Sequence, residues 1–116
     1  MEHNEFGREG EEVATAFLLK KGLKIVERNW RHRKFEVDII AEDQQDLVFV
    51  EVKTRRVDLH GDPYLSVGKT KQRNLIQAAD AYAEKYEVDR NIRFDIISII
   101  LQKSPEIEHI EEAFYP

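Results

Sequence analysis

The sequence predicts an α/β (α+β) fold in which helices flank a central mixed β-sheet, with the element order αβββαβ(β). Two segments repeat apolar residues at helical spacing, and two of the three short segments between them are rich in Val, Ile and Phe. A nearly continuous apolar segment, 93–101, follows the second helical segment and is typical of a central strand buried on both faces. The 116 residues are expected to form a single domain spanning 1–116.

The first element is predicted to be a helix from Asn4, a suitable N-cap, to Lys21, with Gly22 as its stop signal. Its apolar residues recur at helical spacing and predict one buried stripe. The members of this stripe are Phe6, Gly10, Val13, Ala14, Phe17 and Leu18.

Three strands are predicted next, at 24–32, 35–41 and 47–53. The polar segment EDQQD between the last two indicates a turn, so these strands should form an antiparallel hairpin. If the turn has four residues, the two residues of each opposite pair have numbers that sum to 89.

The remaining elements are a long loop from Thr54 to Gly68, a helix at 69–86, the strand 93–101 and a short edge strand at 107–113. The second helix has an apolar side. Its members are Leu75, Ile76, Ala79, Tyr82, Ala83 and Tyr86.

Composition excludes several classes of protein. Without Cys, the chain has no disulfides, no thiolate nucleophile and no Cys-ligated metal site. Its apolar runs are too short to span a membrane, and its acidic amino terminus lacks the apolar core of a signal peptide. We therefore expect a cytoplasmic protein.

The net charge of −5 hides a segregated pattern. Taken as a sum, it argues against a nucleic-acid partner, since binding to phosphate requires basic surface. Along the chain, however, segments 20–34 (+6) and 53–73 (+4) flank an acidic segment, 35–52 (−6). Chance scatter of solvated charges is one interpretation; a polyanion held beside a cation site is the more specific one.

The predicted hairpin places Asp38 opposite Glu51, and Glu36 opposite Lys53. Two carboxylates ~4 Å apart repel by about 4 kcal/mol near a protein surface. A raised pKa or a bound cation would relieve the repulsion, and an ion pair with Lys53 is the chief alternative to a metal. With no Cys and scattered His residues, an all-oxygen site suits Mg²⁺ or Mn²⁺.

Glu11 is a further candidate for this site. On the first helix it shares a stripe with Gly7, Ala14 and Leu18, so its carboxylate could reach the sheet. Periodicity alone nevertheless favours a partly exposed Glu paired with a nearby Lys.

Asp38, twelve intervening residues and then Glu51-Val52-Lys53 resemble the D…(D/E)xK signature of restriction-endonuclease-like nucleases. The wider pattern is similar to the YraN family, an uncharacterised bacterial family related to archaeal Holliday junction resolvases. The matching segments are GREGEEVA (7–14), ERNWR (27–31), FEVDIIA (35–41), LVFVEVKTR (47–55), GDP (61–63), KTKQR (69–73), AA (78–79), RFDII (93–97) and HIEEAF (109–114).

The resemblance implies a restriction-endonuclease-like fold and an Mg²⁺-dependent DNA endonuclease, resolvase-like and dimeric. Lys53 would be the catalytic lysine. The expected metal ligands are Asp38, Glu51, Glu11 and the backbone carbonyl of Val52. One residue departs from the pattern: Phe35 stands where the family typically has Gly.

Basic residues are the candidates for DNA contact, and Lys69, Lys71 and Arg73 begin the second helix, where backbone N–H groups also favour phosphate. The other candidates are Arg28, Arg31, Arg55 and Arg56. Trp30 is expected to be core or interface rather than a platform for a base.

Two residues outside the site receive structural expectations, namely Asp95 as the buried partner of an Arg and His109 with only surface or local hydrogen bonding. Two further functions stay open: a nucleic-acid-binding module that does not cut, and a structural protein whose charged cluster is an ion-pair network.

Overall fold

A computed structural model describes residues 5–56 and 67–116, which form a five-stranded sheet with a helix on each face. The strands lie in chain order, β1-β2-β3-β4-β5; β3 and β4 are parallel, and the other neighbours are antiparallel. This confirms the predicted α+β class. The elements are α1 Glu5–Lys20, β1 Lys24–His32, β2 Phe35–Glu42, β3 Asp46–Arg56, α2 Lys69–Lys85, β4 Asn91–Leu101 and β5 Glu106–Phe114.

The two helices cover opposite faces of the sheet and create two apolar layers. On the α1 face, Ala14 and Leu18 pack on β2, β3 and β4. On the α2 face, Leu75 and Tyr82 pack against the other sides of the same strands. Each large side chain that is fully buried contributes about 1.5–3 kcal/mol to the stability of the fold. β4 is buried on both faces, as its apolar sequence predicts.

Trp30 belongs to the α2-side layer. It is buried, and its ring meets that of Tyr82 edge-on, with 5.2 Å between centroids. The expectation that Trp30 is a core residue is confirmed.

α1 ends where the sequence predicts. Gly22 adopts a φ of +101°, and the Leu23 N–H donates to the carbonyl oxygen of Leu18 at 3.0 Å. Glycine enters this left-handed region without a Cβ penalty, so it closes the helix there. The predicted N-cap, Asn4, lies outside the described residues.

The predicted register of the β2–β3 hairpin is confirmed over four pairs, from Ile39↔Val50 to Glu42↔Leu47. The ladder then stops, so the prediction that Glu36 faces Lys53 is wrong. Glu36 instead lies opposite Arg31 on β1, with Nε and Oε2 3.5 Å apart. The two strands separate because β2 stays paired with β1 while β3 stays paired with β4.

Two predicted boundaries also change. Residues 54–56 continue β3, paired with β4, so the loop predicted from Thr54 begins too early; residues 57–66 lie outside the described part. Tyr86 was predicted on the apolar side of α2 but is 49% exposed. The helix ends at Lys85 and Tyr86 is its C-cap, so its side chain no longer follows the buried face.

A buried polar cluster joins β4, β5 and α1 on the side of Asp95. Asp95 accepts hydrogen bonds from Arg93 (2.9 Å) and pairs with His109 Nε2 (2.7 Å), which confirms the predicted Arg partner. His109 Nδ1 in turn lies 2.7 Å from the ammonium of Lys21. The His109 side chain is 3% exposed, so of the two expectations for it the structure shows hydrogen bonding and not surface placement. Although burial raises the pKa of Asp95, the hydrogen bonds from His109 and Arg93 hold it below its usual range.

Neither helix in residues 5–56 and 67–116 is both long and apolar enough to cross a lipid bilayer.

Gly10 allows α1 to approach β3 closely. A Cβ at this position would overlap Thr54 Oγ1 and lie 2.9 Å from the Thr54 Cβ. Gly10→Ala should therefore lower the free energy of unfolding by about 1–3 kcal/mol, although alanine raises helix propensity by about 1 kcal/mol. Urea denaturation checks this. The matched control is Ala16→Gly at an exposed position of α1, which should lose only about 1 kcal/mol. Greater stability in Gly10→Ala would contradict the close approach.

Candidate active site

Asp38 lies at the fork where β2 separates from β3. It is the first residue beyond the last β2–β3 pair, Ile39↔Val50. Its Oδ2 accepts a hydrogen bond from the Val52 backbone N–H at 2.8 Å. The carboxylate thus takes the position that a backbone carbonyl would hold if the ladder continued, and this fixes it between the two strands.

Glu51 enters the fork from β3. Strand alternation places its side chain on the same face as Phe49, toward α2, and the residue is only 3% exposed. Its Oε2 lies 3.2 Å from the ammonium of Lys71, in the first turn of α2. A buried carboxylate thus meets a cation from the helix that covers it.

Glu11 approaches from the opposite helix, α1. It is 5% exposed, and its Oε1 accepts a hydrogen bond from the side-chain amide of Asn29 at 2.9 Å. The partly exposed placement favoured by periodicity alone is therefore wrong, and the core-facing alternative is correct. Since Gly10 packs against Thr54 of β3, the backbone next to Glu11 is held close to the sheet.

Asn29 belongs to the site but was not among the candidate residues. The β1–β2 pairs pass from Arg28↔Ile39 to Trp30↔Val37, so they skip Asn29 and Asp38. Asn29 has a φ of +51°, a conformation that Asn tolerates better than most residues. An Asn in the middle of a strand segment was the available signal, because strands are otherwise depleted in Asn.

Two acidic groups of the fork, Asp38 and Glu51, have a raised pKa. Burial raises the pKa of Asp38 well above its usual range; the charges of Glu51 and Glu11 add to this, and the Val52 N–H and Lys71 oppose it. Burial also raises the pKa of Glu51, with Lys71 and then Lys53 opposing. Although burial lowers the pKa of Lys71, Glu51 and Asp38 outweigh that effect and hold it above its usual range. The fork therefore favours added positive charge.

Lys53 lies two residues after Glu51 on the same face of β3 and is half-buried. Its charge acts on Glu51, but the salt bridge to Glu51 comes from Lys71. Within residues 5–56 and 67–116, Lys53 forms no ion pair of its own. The alternative of a Glu51–Lys53 ion pair is therefore replaced by one with Lys71.

The chemistry of these side chains fits a hard divalent cation, because the fork concentrates carboxyl groups whose pKa values are raised chiefly by burial. In the described part of the chain, no three acidic or His side chains are gathered closely enough to form a ready-made metal cluster. Lys71 holds the place of a cation beside Glu51. A divalent ion shared by Asp38 and Glu51 would therefore replace Lys71 as the partner of Glu51.

Solvent reaches the fork through a cavity of about 110 Å³. The cavity lies between the amino-terminal half of α2 and the start of β2. Its lining residues are Lys34, Phe35, Glu36, Asp38, Lys71, Asn74 and Leu75. Phe35 thus lines the same cavity as Asp38.

Five of the seven basic candidates for DNA contact already form a hydrogen bond or ion pair within the protein. Lys71 pairs with Glu51, as described. The other four pairs are Arg28 with Glu12 (3.1 Å), Arg31 with Glu36 (3.5 Å), Arg55 with Ser98 (3.3 Å) and Arg73 with Thr70 (3.4 Å).

Three of the basic candidates are exposed at the ends of elements next to the fork. Lys69 and Arg73 lie in the first turns of α2, and Arg56 ends β3 with its guanidinium 5.4 Å from the centre of the Phe6 ring. Exposed positive charge among the candidates therefore lies at the start of α2 and the end of β3.

The raised pKa of Asp38 has a measurable consequence for stability. Above the raised pKa the folded state must hold an unfavourable charge, and this penalty vanishes below the pKa of the unfolded chain, about 3.9. Asp38→Asn should therefore stabilise the fold at pH ~8, and the gain should disappear near pH ~4. Thermal unfolding across this pH range checks the sign.

Asp43→Asn is the matched control, because backbone N–H groups of Asp46 and Gln45 lower the pKa of Asp43. Its substitution should destabilise the fold at pH ~8. If Asp38→Asn lowers the stability at pH ~8 as Asp43→Asn does, the pKa of Asp38 is not raised in the folded protein.

Comparison with known proteins finds one family over most of the chain. The sequence model of Uncharacterised protein family UPF0102 matches residues 10–99. A UPF0102 protein of Phocaeicola vulgatus is 52% identical over 116 residues, covering 99% of this chain and 96% of its own. One from Bacteroides thetaiotaomicron is 46% identical with the same coverage, and one from Parabacteroides distasonis is 42% identical over 97% and 93% of the two chains. The chain therefore belongs to the UPF0102 family, also called the YraN family.

Proposed function

We propose that the protein is a metal-dependent endonuclease that hydrolyses phosphodiester bonds in DNA at the fork between β2 and β3. The observation that carries the proposal is half-buried Asp38 beside buried Glu51: the pKa values of both are raised, and Val52 and Lys71 hold their positions. A pair of acids held at this cost to stability is typical of a functional site.

Asp38 and Glu51 would bind Mg²⁺ or Mn²⁺, with the Val52 carbonyl and Glu11 as further oxygen ligands. When bound, such an ion supplies an activated water and neutralises charge on the scissile phosphate. The protein's part is to hold the carboxylates. Val52 fixes Asp38 at 2.8 Å, and Asn29 fixes Glu11 at 2.9 Å.

Lys53 would act on the reacting groups. It lies on the same face of β3 as Glu51, and within the described residues its ammonium is not committed to an ion pair. An ammonium in this position can orient the attacking water or stabilise the charge that develops on the phosphate.

Lys71 would keep the acids stable before the metal binds. Its ammonium compensates Glu51 and acts on Asp38 through charge. With a divalent ion held by Asp38 and Glu51, Lys71 would be free to contact the phosphate backbone from the first turn of α2, where helix N–H groups also favour anions.

Exposed cations near the fork support a DNA substrate. Lys69 and Arg73 extend from α2, and Arg56 from the end of β3. We propose that these residues contact the phosphates on either side of the cleaved bond, and that a two-fold dimer serves branched substrates such as four-way junctions.

A second candidate function is a binding module that does not cut. The Lys71–Glu51 salt bridge favours it, because the chain itself already compensates that buried acid. Turnover distinguishes the two functions: a binding module holds DNA with Mg²⁺ present but leaves it intact.

A cleavage assay tests the proposal. With Mg²⁺ and four-way junction, flap and single-stranded DNA, the wild-type protein should cut at least one substrate. Asp38→Asn and Lys53→Ala should each lower the rate by about 100-fold or more while keeping a cooperative unfolding transition. The control is Lys24→Ala, an exposed lysine at the Glu42 end of β1, away from the fork.

Two outcomes would contradict the proposal. Cleavage at wild-type rate in both Asp38→Asn and Lys53→Ala would remove the fork from catalysis. Tight binding with no cleavage of any substrate by the wild-type protein would favour the binding module.

A further inference from the structure

A second and larger cavity, of about 670 Å³, opens beside the one that leads to Asp38. Its volume lies within the range of roughly 300–1,000 Å³ of small-molecule sites. The β1–β2 hairpin and α2 form its walls, and its lining residues are His32, Arg33, Lys34, Phe35, Gln77 and Asp80. Lys34 and Phe35 line both cavities, so the two share a wall.

We propose that this cavity binds an unpaired nucleobase of the DNA strand that is cut at the fork, and so selects substrates with an unpaired nucleotide beside the scissile phosphate. This inference rests on the proposed nuclease function and adds the structural class of the substrate.

Aromatic side chains give the cavity walls suited to a flat ligand. The His32 ring lies nearly parallel to that of buried Trp30, with centroids 6.2 Å apart and 6° between the planes. Phe35 is half-buried and packs against the α2-side core. Both rings are thus supported from behind by the core. Aromatic surfaces of this kind stack on bases in proteins that bind single strands.

Two polar side chains on α2 can recognise the edge of a base. Gln77 and Asp80 are exposed and one helical turn apart, and neither forms a hydrogen bond or ion pair within the described parts of the chain. A carboxylate accepts from the amino groups of guanine, cytosine or adenine. Thymine has no amino group, and the two carbonyl oxygens on either side of its single N–H repel a carboxylate. Asp80 should therefore favour a base that carries an amino group.

Positive charge at the rim suits the phosphates on either side of such a base. Arg33 and Lys34 are the two turn residues between the paired positions His32 and Phe35. Arg33 has a φ of +57°, which glycine would adopt with less strain. An arginine kept at this strained position places a guanidinium at the mouth of the cavity, where it can contact phosphate.

The shared wall sets the distance between base and reaction. Because Phe35 borders both cavities, a base inserted beside it belongs to a nucleotide close to the phosphate at the fork. A duplex keeps its bases stacked and paired, so the stacking and pairing energy of one base must be given up before that base can enter the cavity. Flaps, loops and branch points offer an unpaired base without this loss.

Fluorescence of 2-aminopurine tests the inference without requiring cleavage. The probe carries an amino group and is placed at a single unpaired position between two duplex arms, in buffer without divalent metal. Adding the wild-type protein should change its emission, with at least about tenfold tighter binding than to the same strand fully paired. Asp80→Asn and His32→Ala should each weaken binding to the unpaired probe by about tenfold.

Glu84→Gln is the matched control for Asp80→Asn, since Glu84 is an exposed acid one turn further along α2 and outside the cavity. It should leave binding of the probe unchanged. Asp80 is exposed, so its substitution tests the cavity even if His32→Ala perturbs the core.

The inference is overturned if paired and unpaired probes bind equally, or if Asp80→Asn behaves like Glu84→Gln. Either result leaves the cleavage assay with Asp38→Asn unaffected. Conversely, selective binding of the unpaired probe without any cleavage would support the cavity and contradict the nuclease. The two proposals therefore fail separately.

Discussion

Burial of acidic groups at the fork of β2 and β3 is the constraint on which the rest of the site depends. Burial raises the pKa of both Asp38 and Glu51, and the charge of Glu51 raises the pKa of Asp38 further. The fold opposes this penalty at two points: the Val52 N–H donates to Asp38, and Lys71 forms a salt bridge with Glu51. Without them, two nearby acids in a low-dielectric site would destabilise the fold or stay protonated.

The neighbouring elements are placed to maintain this arrangement. Gly10 lets α1 approach β3, and this brings Glu11 to the α1 side of the fork. Asn29 adopts a left-handed conformation opposite the point where the ladder breaks and holds Glu11 by its amide. Lys71 reaches the α2 side from the first turn of that helix. Because β2 and β3 part at Asp38, side chains from both faces of the sheet act on one group of acids.

The features of the fold that depend on periodicity and on pairing between adjacent segments could be predicted from the sequence. It predicts the class, the order of elements, the hairpin register and the core role of Trp30, because alternation and turn length determine these. It does not predict where the hairpin ladder ends, since that depends on β1 and β4 competing for β2 and β3. Lys71 was therefore predicted to bind DNA rather than Glu51, and Asn29 was missed. The buried position of His109 was left open between surface and local hydrogen bonding, because its partner, Asp95, lies on a neighbouring strand.

A pH titration of the carboxyl groups followed by carbon-13 NMR tests the fork most directly. It is carried out without metal and with Mg²⁺, and Mn²⁺ is then added in place of Mg²⁺ as a relaxation probe. Without metal, Asp38 should titrate well above the usual value of about 3.9 for Asp. Adding Mg²⁺ should lower the pKa of both Asp38 and Glu51, and Mn²⁺ should broaden the two signals together. A pKa of Asp38 near the usual value would contradict a shared cation site. So would carboxyl signals of Asp38 and Glu51 that change with neither Mg²⁺ nor Mn²⁺.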